Sequence, residues 1–189
     1  MTFKSHFRPL EQLVLDRVGP HSLVSLGLVR DFADCYLPSL LESRYDLRGK
    51  TMIDVGCDEG TTPLLWRALG ASKVIGYECN KRFVWRMKRL RREPWFDFRG
   101  KWEGELPKGD FLKVDVEGYE SRLDLEALKS YEFWFLALHH HTLLYPEAST
   151  YYLEPEVVKM GGKFIFEHHT GKERVFVGGR ALKQEWSEQ

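Results

Sequence analysis

The stretch TMIDVGCDEGTTPLLWRALGASKVIGYE, residues 51–78, is the most informative part of this chain. An apolar strand comes first, and a turn containing Gly56 and Gly60 follows, because glycine tolerates the backbone angles of a tight turn. A helix then leads into a second strand that ends at Glu78. An acid at this point can accept hydrogen bonds from both hydroxyls of a ribose. The stretch therefore indicates a site for a nucleoside-containing cofactor.

The spacing of the glycines favours S-adenosylmethionine over a dinucleotide. A dinucleotide site needs G-x-G-x-x-G to seat a pyrophosphate, whereas this chain has G-x-x-x-G with Asp58 in place of the middle glycine. A carboxylate there would repel a pyrophosphate, but it could bind the ammonium group of an amino acid. We expect S-adenosylmethionine as the cofactor and not NAD. The expected cofactor-binding residues are Asp54, Gly56, Cys57, Asp58, Gly60, Glu78, Cys79 and Asp115.

A second motif, FLKVDVEGYE at residues 111–120, carries a family resemblance. The signature K-[IV]-D-[VI]-E-G-x-E of the FkbM family of S-adenosylmethionine-dependent methyltransferases is matched by Lys113, Val114, Asp115, Val116, Glu117, Gly118 and Glu120. Together with the glycine turn, the chain resembles that family over about residues 50–180. The resemblance implies a class I fold, O-methylation as the reaction and Glu78 on the ribose. It does not extend to the identity of the methyl acceptor.

The order of the predicted elements indicates an α/β fold. Strands alternate with helices, including one at 123–128, and a predicted hairpin over 163–167 and 174–177 closes the sheet. This order is typical of a doubly wound, mostly parallel, seven-stranded sheet of the Rossmann-like class I methyltransferase type. We expect a methyltransferase domain over residues 49–189 and an N-terminal helical extension over 1–48. The extension could cover the site as a lid or simply pack against the sheet edge.

The fourth and fifth strands end at the expected catalytic residues, Glu117 and His139. Methyl transfer to a hydroxyl needs a base near the methyl group. His139 suits this role because the unperturbed pKa of histidine is about 6.5. Asp115 is expected to lie closer to the cofactor. Glu117 could alternatively be a turn residue that binds backbone groups.

Other interpretations of the histidines stay open. His139 and His141 could face the same way and, with Asp115 or Glu117, bind a divalent metal. They could equally be hydrogen-bonded loop residues, so no metal is assigned. His168 and His169, which follow the sixth strand, could line the same site as His139 or lie in the hairpin turn.

The overall composition excludes several classes of protein. The chain has 28 basic and 28 acidic residues, so its net charge does not indicate a nucleic-acid or acidic-lipid partner. Three cysteines without a C-x-x-C pair argue against a disulfide framework and a structural zinc site. The N-terminal stretch MTFKSHFRPLEQ lacks the apolar core of a signal segment, and no later apolar run reaches membrane-spanning length. We expect a soluble, cytoplasmic protein without a membrane partner, and its oligomeric state is left open.

The expected acceptor is a hydroxyl group of a small molecule or sugar. The N-P-P-Y and P-C motifs that serve nitrogen and carbon acceptors are absent from the sequence. Two alternatives stay open. The basic helix after Glu78 could bind RNA phosphates in an RNA methyltransferase. The chain could also be a catalytically silent cofactor-binding module that acts through a partner protein.

Overall fold

The computed structural model of the 189-residue chain describes residues 36–40, 44–140, 150–168 and 173–182. The chain divides into two compact units, Met1–Trp102 and Glu103–Gln189. Residues 36–40 are helical. The remainder of the predicted extension before residue 44 lies outside the described residues, as do His141 and His169.

The first unit is built of parallel strands with helices between them. Its elements are β1 (Thr51–Val55), α1 (Thr61–Ala68), β2 (Lys73–Tyr77), α2 (Lys81–Arg86), a 3₁₀ turn (Leu90–Arg92) and β3 (Phe96–Phe98). Strand β2 pairs in parallel with β1 on one side and with β3 on the other. Strands β1 and β2 are buried on both faces after their first residue. Burial on both faces explains why their sequences are mostly continuous apolar runs.

The second unit combines a parallel pair of strands with an antiparallel hairpin. Its elements are β4 (Phe111–Val114), two 3₁₀ segments (Tyr119–Arg122 and Leu125–Ser130), β5 (Phe133–His139), a 3₁₀ turn (Tyr151–Leu153), α3 (Glu154–Lys159), β6 (Lys163–His168) and β7 (Glu173–Gly178). Strands β4 and β5 are parallel, and β7 runs antiparallel to both β5 and β6. All seven residues of β5 are buried, so this strand forms the centre of the unit.

The seven described strands form one sheet in the order β3-β2-β1-β4-β5-β7-β6. The predicted mostly parallel sheet with one antiparallel strand is confirmed. The helix predicted at 123–128 is replaced by 3₁₀ segments, in which the Asp124 side chain accepts a hydrogen bond from the Glu126 N–H at 3.0 Å. Helix α3 was not predicted. Among the described residues, no helix is long and apolar enough to cross a bilayer.

Candidate functional site

The turn after β1 is held against the end of β2 by backbone hydrogen bonds. The N–H groups of Gly56 and Cys57 both donate to the carbonyl oxygen of Tyr77 at 3.0 Å. Gly56 has a φ of 82° and Asp58 has a φ of 51°. These are left-handed backbone values, which residues other than glycine rarely adopt. The sequence therefore makes a tight, locally strained turn at the carboxyl end of β1.

Gly60 is needed for packing as well as for the turn. Its φ is 96°, and a Cβ atom placed on it would lie 2.7 Å from Leu90 Cδ2 and 3.0 Å from Met87 Cγ. The start of α1 therefore packs directly against the segment after α2. This contact accounts for the second glycine of G-x-x-x-G without any ligand.

Glu78 lies beside the glycine turn, where the sequence placed a ribose-binding acid. Its Oε2 accepts a hydrogen bond from the Asp58 N–H at 3.0 Å, and its Oε1 accepts one from the Asn80 N–H at 2.7 Å. These two bonds fix the orientation of the carboxylate. Each carboxylate oxygen can accept more than one hydrogen bond, so a half-buried Glu78 can still bind two hydroxyl groups.

Three other predicted cofactor contacts occupy different environments. Asp54 is fully buried, and its Oδ2 accepts hydrogen bonds from Thr62 Oγ1 at 2.7 Å and Trp66 Nε1 at 3.0 Å. Its side chain therefore ties β1 to α1, and its predicted contact with the cofactor stays a prediction. Cys57 is also fully buried, so only its backbone faces the turn. Cys79 is exposed, and burial of part of its thiol, followed by the charge of Glu78, raises its pKa.

In the second unit, His139 is held by a buried carboxylate that the sequence analysis did not single out. Glu120 is fully buried, and its Oε1 lies 2.8 Å from His139 Nδ1. The backbone N–H groups of Val116 and Gly118 also donate to this carboxylate, each at 2.9 Å. The last acid of the FLKVDVEGYE motif therefore fixes both the turn after β4 and the imidazole at the end of β5.

The carboxylates around His139 change its expected chemistry. Burial lowers the pKa of the imidazole, but the hydrogen bond to Glu120 and three surrounding carboxylate charges outweigh burial and raise the pKa to about 10. An imidazole with this pKa is protonated at neutral pH. This raised pKa disfavours His139 as a base at neutral pH, and its catalytic role stays a prediction.

The other nitrogen of His139 faces the two acids that the sequence analysis selected. His139 Nε2 lies 3.6 Å from Asp115 Oδ1 and 3.9 Å from Glu117 Oε1. The Asp115 Oδ2 atom lies 3.3 Å from the ammonium of the buried Lys113. The Glu117 side chain is 60% exposed, and its φ is 54°. The structure thus brings together Asp115, Glu117 and His139, as predicted for the ends of β4 and β5.

Glu173 is a further member of this group that sequence reasoning missed. It lies opposite His139 in the antiparallel pairing of β5 with β7. Burial and the charge of Asp115 raise the pKa of Glu173 to about 7, with Glu117 adding to the increase while His139 and Lys113 oppose it. The register of β5 against β7 determines this position, and no local motif marks it.

His140 points to the other side of the strand from His139, as alternation along a strand requires. Its Nε2 lies 2.8 Å from Glu154 Oε1, and Arg174 donates to the same carboxylate at 2.6 and 2.9 Å. Burial lowers the pKa of His140. His140 therefore belongs to a separate structural network. His168 ends β6, and His141 and His169 lie outside the described residues.

Comparison with known proteins identifies relatives in archaeal viruses. Protein 158B of Sulfolobus islandicus rod-shaped virus 1 is 30% identical over 106 residues, which cover 53% of this chain and 67% of that protein. Protein 65 of a Sulfolobus islandicus filamentous virus is 32% identical over 103 residues, covering 52% of this chain and 65% of that protein. Both relatives are described as uncharacterized. The chain belongs to the same family as protein 158B.

A more distant relative and two solved structures were also found. A tRNA U34 carboxymethyltransferase of Pseudomonas fluorescens is 29% identical over 107 residues, covering 56% of this chain and 32% of that enzyme. The C-terminal domain of precorrin-6Y C5,15-methyltransferase from Rhodobacter capsulatus superposes with a TM-score of 0.53 at 15% identity, covering 74% of this chain and 85% of that chain. A Thermoplasma acidophilum protein superposes with a TM-score of 0.54 at 13% sequence identity, covering 90% of this chain and 94% of that chain. These likenesses show the class I methyltransferase fold.

No family model matches the chain. The resemblance to the FkbM family in particular therefore stays a prediction that depends on the two motifs.

Proposed function

We propose that this chain, a member of the family of protein 158B, is an S-adenosylmethionine-dependent methyltransferase that methylates a hydroxyl oxygen of a small molecule or sugar. The observation that carries the proposal is the hydrogen bond between the Glu78 carboxylate and the Asp58 N–H. It joins the acid at the end of β2 to the turn after β1 within the first unit. A class I methyltransferase fold with an acid at this position supports the choice of cofactor.

The turn also supports an amino-acid-bearing cofactor over a dinucleotide. The Asp58 carboxylate is carried by a residue of left-handed backbone conformation, and Glu78 adds a second negative charge beside it. Two carboxylates would repel a pyrophosphate, because like charges at short range oppose binding. The ammonium group and the ribose hydroxyls of S-adenosylmethionine would instead find acceptors.

The second unit supports the oxygen-acceptor part of the proposal. A hydroxyl must lose its proton as its oxygen takes the methyl group from the sulfonium. Because the surrounding carboxylates raise the pKa of His139, we assign proton acceptance to Glu117, the most exposed acid of the group. The methyl carbon-to-sulfur bond breaks, the oxygen-to-methyl bond forms, and the proton passes to the Glu117 carboxylate.

Binding measurements with one substitution test the cofactor assignment. In calorimetric titrations, we expect the wild type to bind S-adenosylmethionine and S-adenosylhomocysteine and to show no binding of NAD. Glu78→Gln keeps the side-chain shape but removes its charge, so it should lose roughly 1.5–3 kcal/mol, or about 10- to 150-fold in affinity. Asp97→Asn is a matched control, since Asp97 is a surface acid of the neighbouring β3 that pairs with Lys73 and Arg99. Undiminished affinity in Glu78→Gln would contradict the assignment.

RNA is a second candidate acceptor because of an exposed basic surface on the first unit. Six basic side chains of α2 and the turn after it form no ion pair with any described residue. These are Lys81, Arg82, Lys88, Arg89, Arg91 and Arg92. Trp85, on the same segment, is 65% exposed and could stack on a base. Methyl-labelled cofactor incubated with separated RNA and small-molecule fractions distinguishes the acceptors. Label in RNA, with strongly salt-dependent binding, would favour the second candidate.

A further inference from the structure

We propose that Asp115, Glu117 and His139 form a binding site for a divalent transition-metal cation of the Mn²⁺ type. One ligand atom from each residue can be chosen so that all three atoms lie within 4.8 Å of one another. Two ligands bound at about 2.2 Å to the same ion are at most about 4.4 Å apart. The 3.6 and 3.9 Å separations from His139 Nε2 already satisfy this limit. A small movement of the exposed Glu117 side chain would complete the site.

The buried His139 provides the observation that distinguishes this site from a cluster of surface acids. Its side chain is only 7% exposed, and its Nε2 atom makes no hydrogen bond with any described residue. That atom points between the two carboxylates. It faces both acids at 3.6 and 3.9 Å, and a cation bound by those acids would displace the proton from Nε2 and use the lone pair that the proton leaves.

Glu120 orients the histidine in the way that metal-binding histidines are usually oriented. His139 Nδ1 lies 2.8 Å from Oε1 of the fully buried Glu120, so its N–H group donates to that carboxylate and Nε2 is the atom directed at the ligand. Histidine ligands commonly give their other N–H to a carboxylate, which fixes the ring and increases the basicity of the ligand atom. Two backbone N–H groups hold Glu120 in turn.

The charges and donor atoms select the class of ion. Four acids, Asp115, Glu117, Glu120 and Glu173, surround one imidazole. The opposing positive charges are that of the imidazole and that of Lys113, which lies 3.3 Å from Asp115 Oδ2. The cluster therefore favours an added positive charge. Two carboxylate oxygens and one imidazole nitrogen suit Mn²⁺ or Fe²⁺, whereas Mg²⁺ prefers oxygen ligands alone. The exposed Glu117 leaves room for further ligands from solvent or substrate.

An ion at this position would have a chemical role if the proposed function holds. It could bind the acceptor hydroxyl oxygen and lower its pKa, as metal ions do for bound water. This role rests on the proposed methyl transfer. Binding of the ion does not, so the experiment below measures binding alone, and its failure is distinct from failure to bind S-adenosylmethionine.

Manganese binding to the full chain tests the site. The protein is treated with a chelator, dialysed and titrated with MnCl₂, and free Mn²⁺ is measured by electron paramagnetic resonance. We expect one ion per chain, with affinity reduced at least about 10-fold in Glu117→Gln, since losing a ligand should cost no less than losing an outer partner. Glu126→Gln is the control, because Glu126 is an exposed acid of the same unit that pairs with Lys129. It should bind like the wild type.

The exposure of Glu117 makes its variant informative, because replacing an exposed side chain leaves the fold intact. Circular dichroism confirms folding of both variants. Absence of binding at about 1 mM MnCl₂, a concentration that detects even weak sites, would overturn the proposal. Equal affinity in wild type and Glu117→Gln would also overturn it, because the ion would then be bound elsewhere.

Discussion

Replacing Glu120 should destabilise the protein more than replacing any exposed acid of the same unit. The fully buried carboxylate accepts three hydrogen bonds, one from His139 and two from the backbone N–H groups of Val116 and Gly118. Glu120→Ala leaves a charged imidazole and two backbone donors without their acceptor. Breaking a buried ion pair in this way costs about 3–5 kcal/mol. This is a large share of the 5–15 kcal/mol that is typical of a whole domain.

Chemical denaturation followed by circular dichroism measures this free energy of unfolding, with a chelator present so that bound metal does not contribute. Glu120→Gln should cost less than Glu120→Ala, because its amide oxygen can still accept hydrogen bonds while its NH₂ group faces a donor. The control Glu126→Gln breaks only an exposed pair with Lys129 and should change stability by less than about 1 kcal/mol. A decrease in unfolding free energy below about 1 kcal/mol in Glu120→Ala would refute the reasoning, because removing one member of a buried ion pair should destabilise the fold by more than that.

The same pair predicts a dependence of stability on pH. His139 has a folded-state pKa of about 10, above its ordinary value of 6.5. Its stabilising contribution is therefore fully present below about pH 6.5 and is lost as the pH rises through about 10. The difference in unfolding free energy between wild type and Glu120→Gln should shrink over that range. A difference that stays constant from about pH 6 to pH 10.5 would show that the imidazole is not protonated in the folded protein.

Two further substitutions test the first unit. Gly60→Ala should lower the free energy of unfolding by about 1–3 kcal/mol, because its Cβ would meet Leu90 at 2.7 Å. Gly100→Ala is the control and should lose less stability, because Gly100 also has a positive φ but no atom lies within 4 Å of the added Cβ. Equal decreases in the melting temperature of the two variants would show that the contact with Leu90 does not matter. Asp54→Ala removes the acceptor of two buried donors, so it should cost about 1–3 kcal/mol for each donor left unsatisfied. If Asp54→Ala instead lowers cofactor affinity while leaving the denaturation midpoint unchanged, Asp54 acts on the ligand directly.

The fold could be predicted because its main signals are local. The strand, turn, helix and strand of residues 51–78 each follow from neighbouring residues, and Glu78 was expected at the end of β2. The predicted helix at 123–128 is replaced by 3₁₀ segments, of which Leu125–Ser130 is capped by Asp124. Hydrophobic periodicity does not distinguish a short 3₁₀ segment from a short α-helix.

The group around His139 could be predicted only in part. Asp115 and Glu117 lie in one motif, and His139 ends the next buried strand, so sequence position alone indicated that they would meet. Glu173 required the register of β5 against β7, which no local pattern supplies. The raised pKa of His139 could not be predicted either, because it depends on how many carboxylates surround the ring and how deeply they are buried.

The left-handed backbone of Asp58 and Glu117 implies a conflict between durability and activity. Residues other than glycine lose roughly 1–2 kcal/mol in this conformation, and both positions carry side chains to which our proposals assign a role. Glycine at either position would relieve the backbone but remove a carboxylate. Selection for thermal stability alone would therefore favour glycine at these two positions. The resulting proteins would be more stable, but they would have lost the carboxylates that our proposals use.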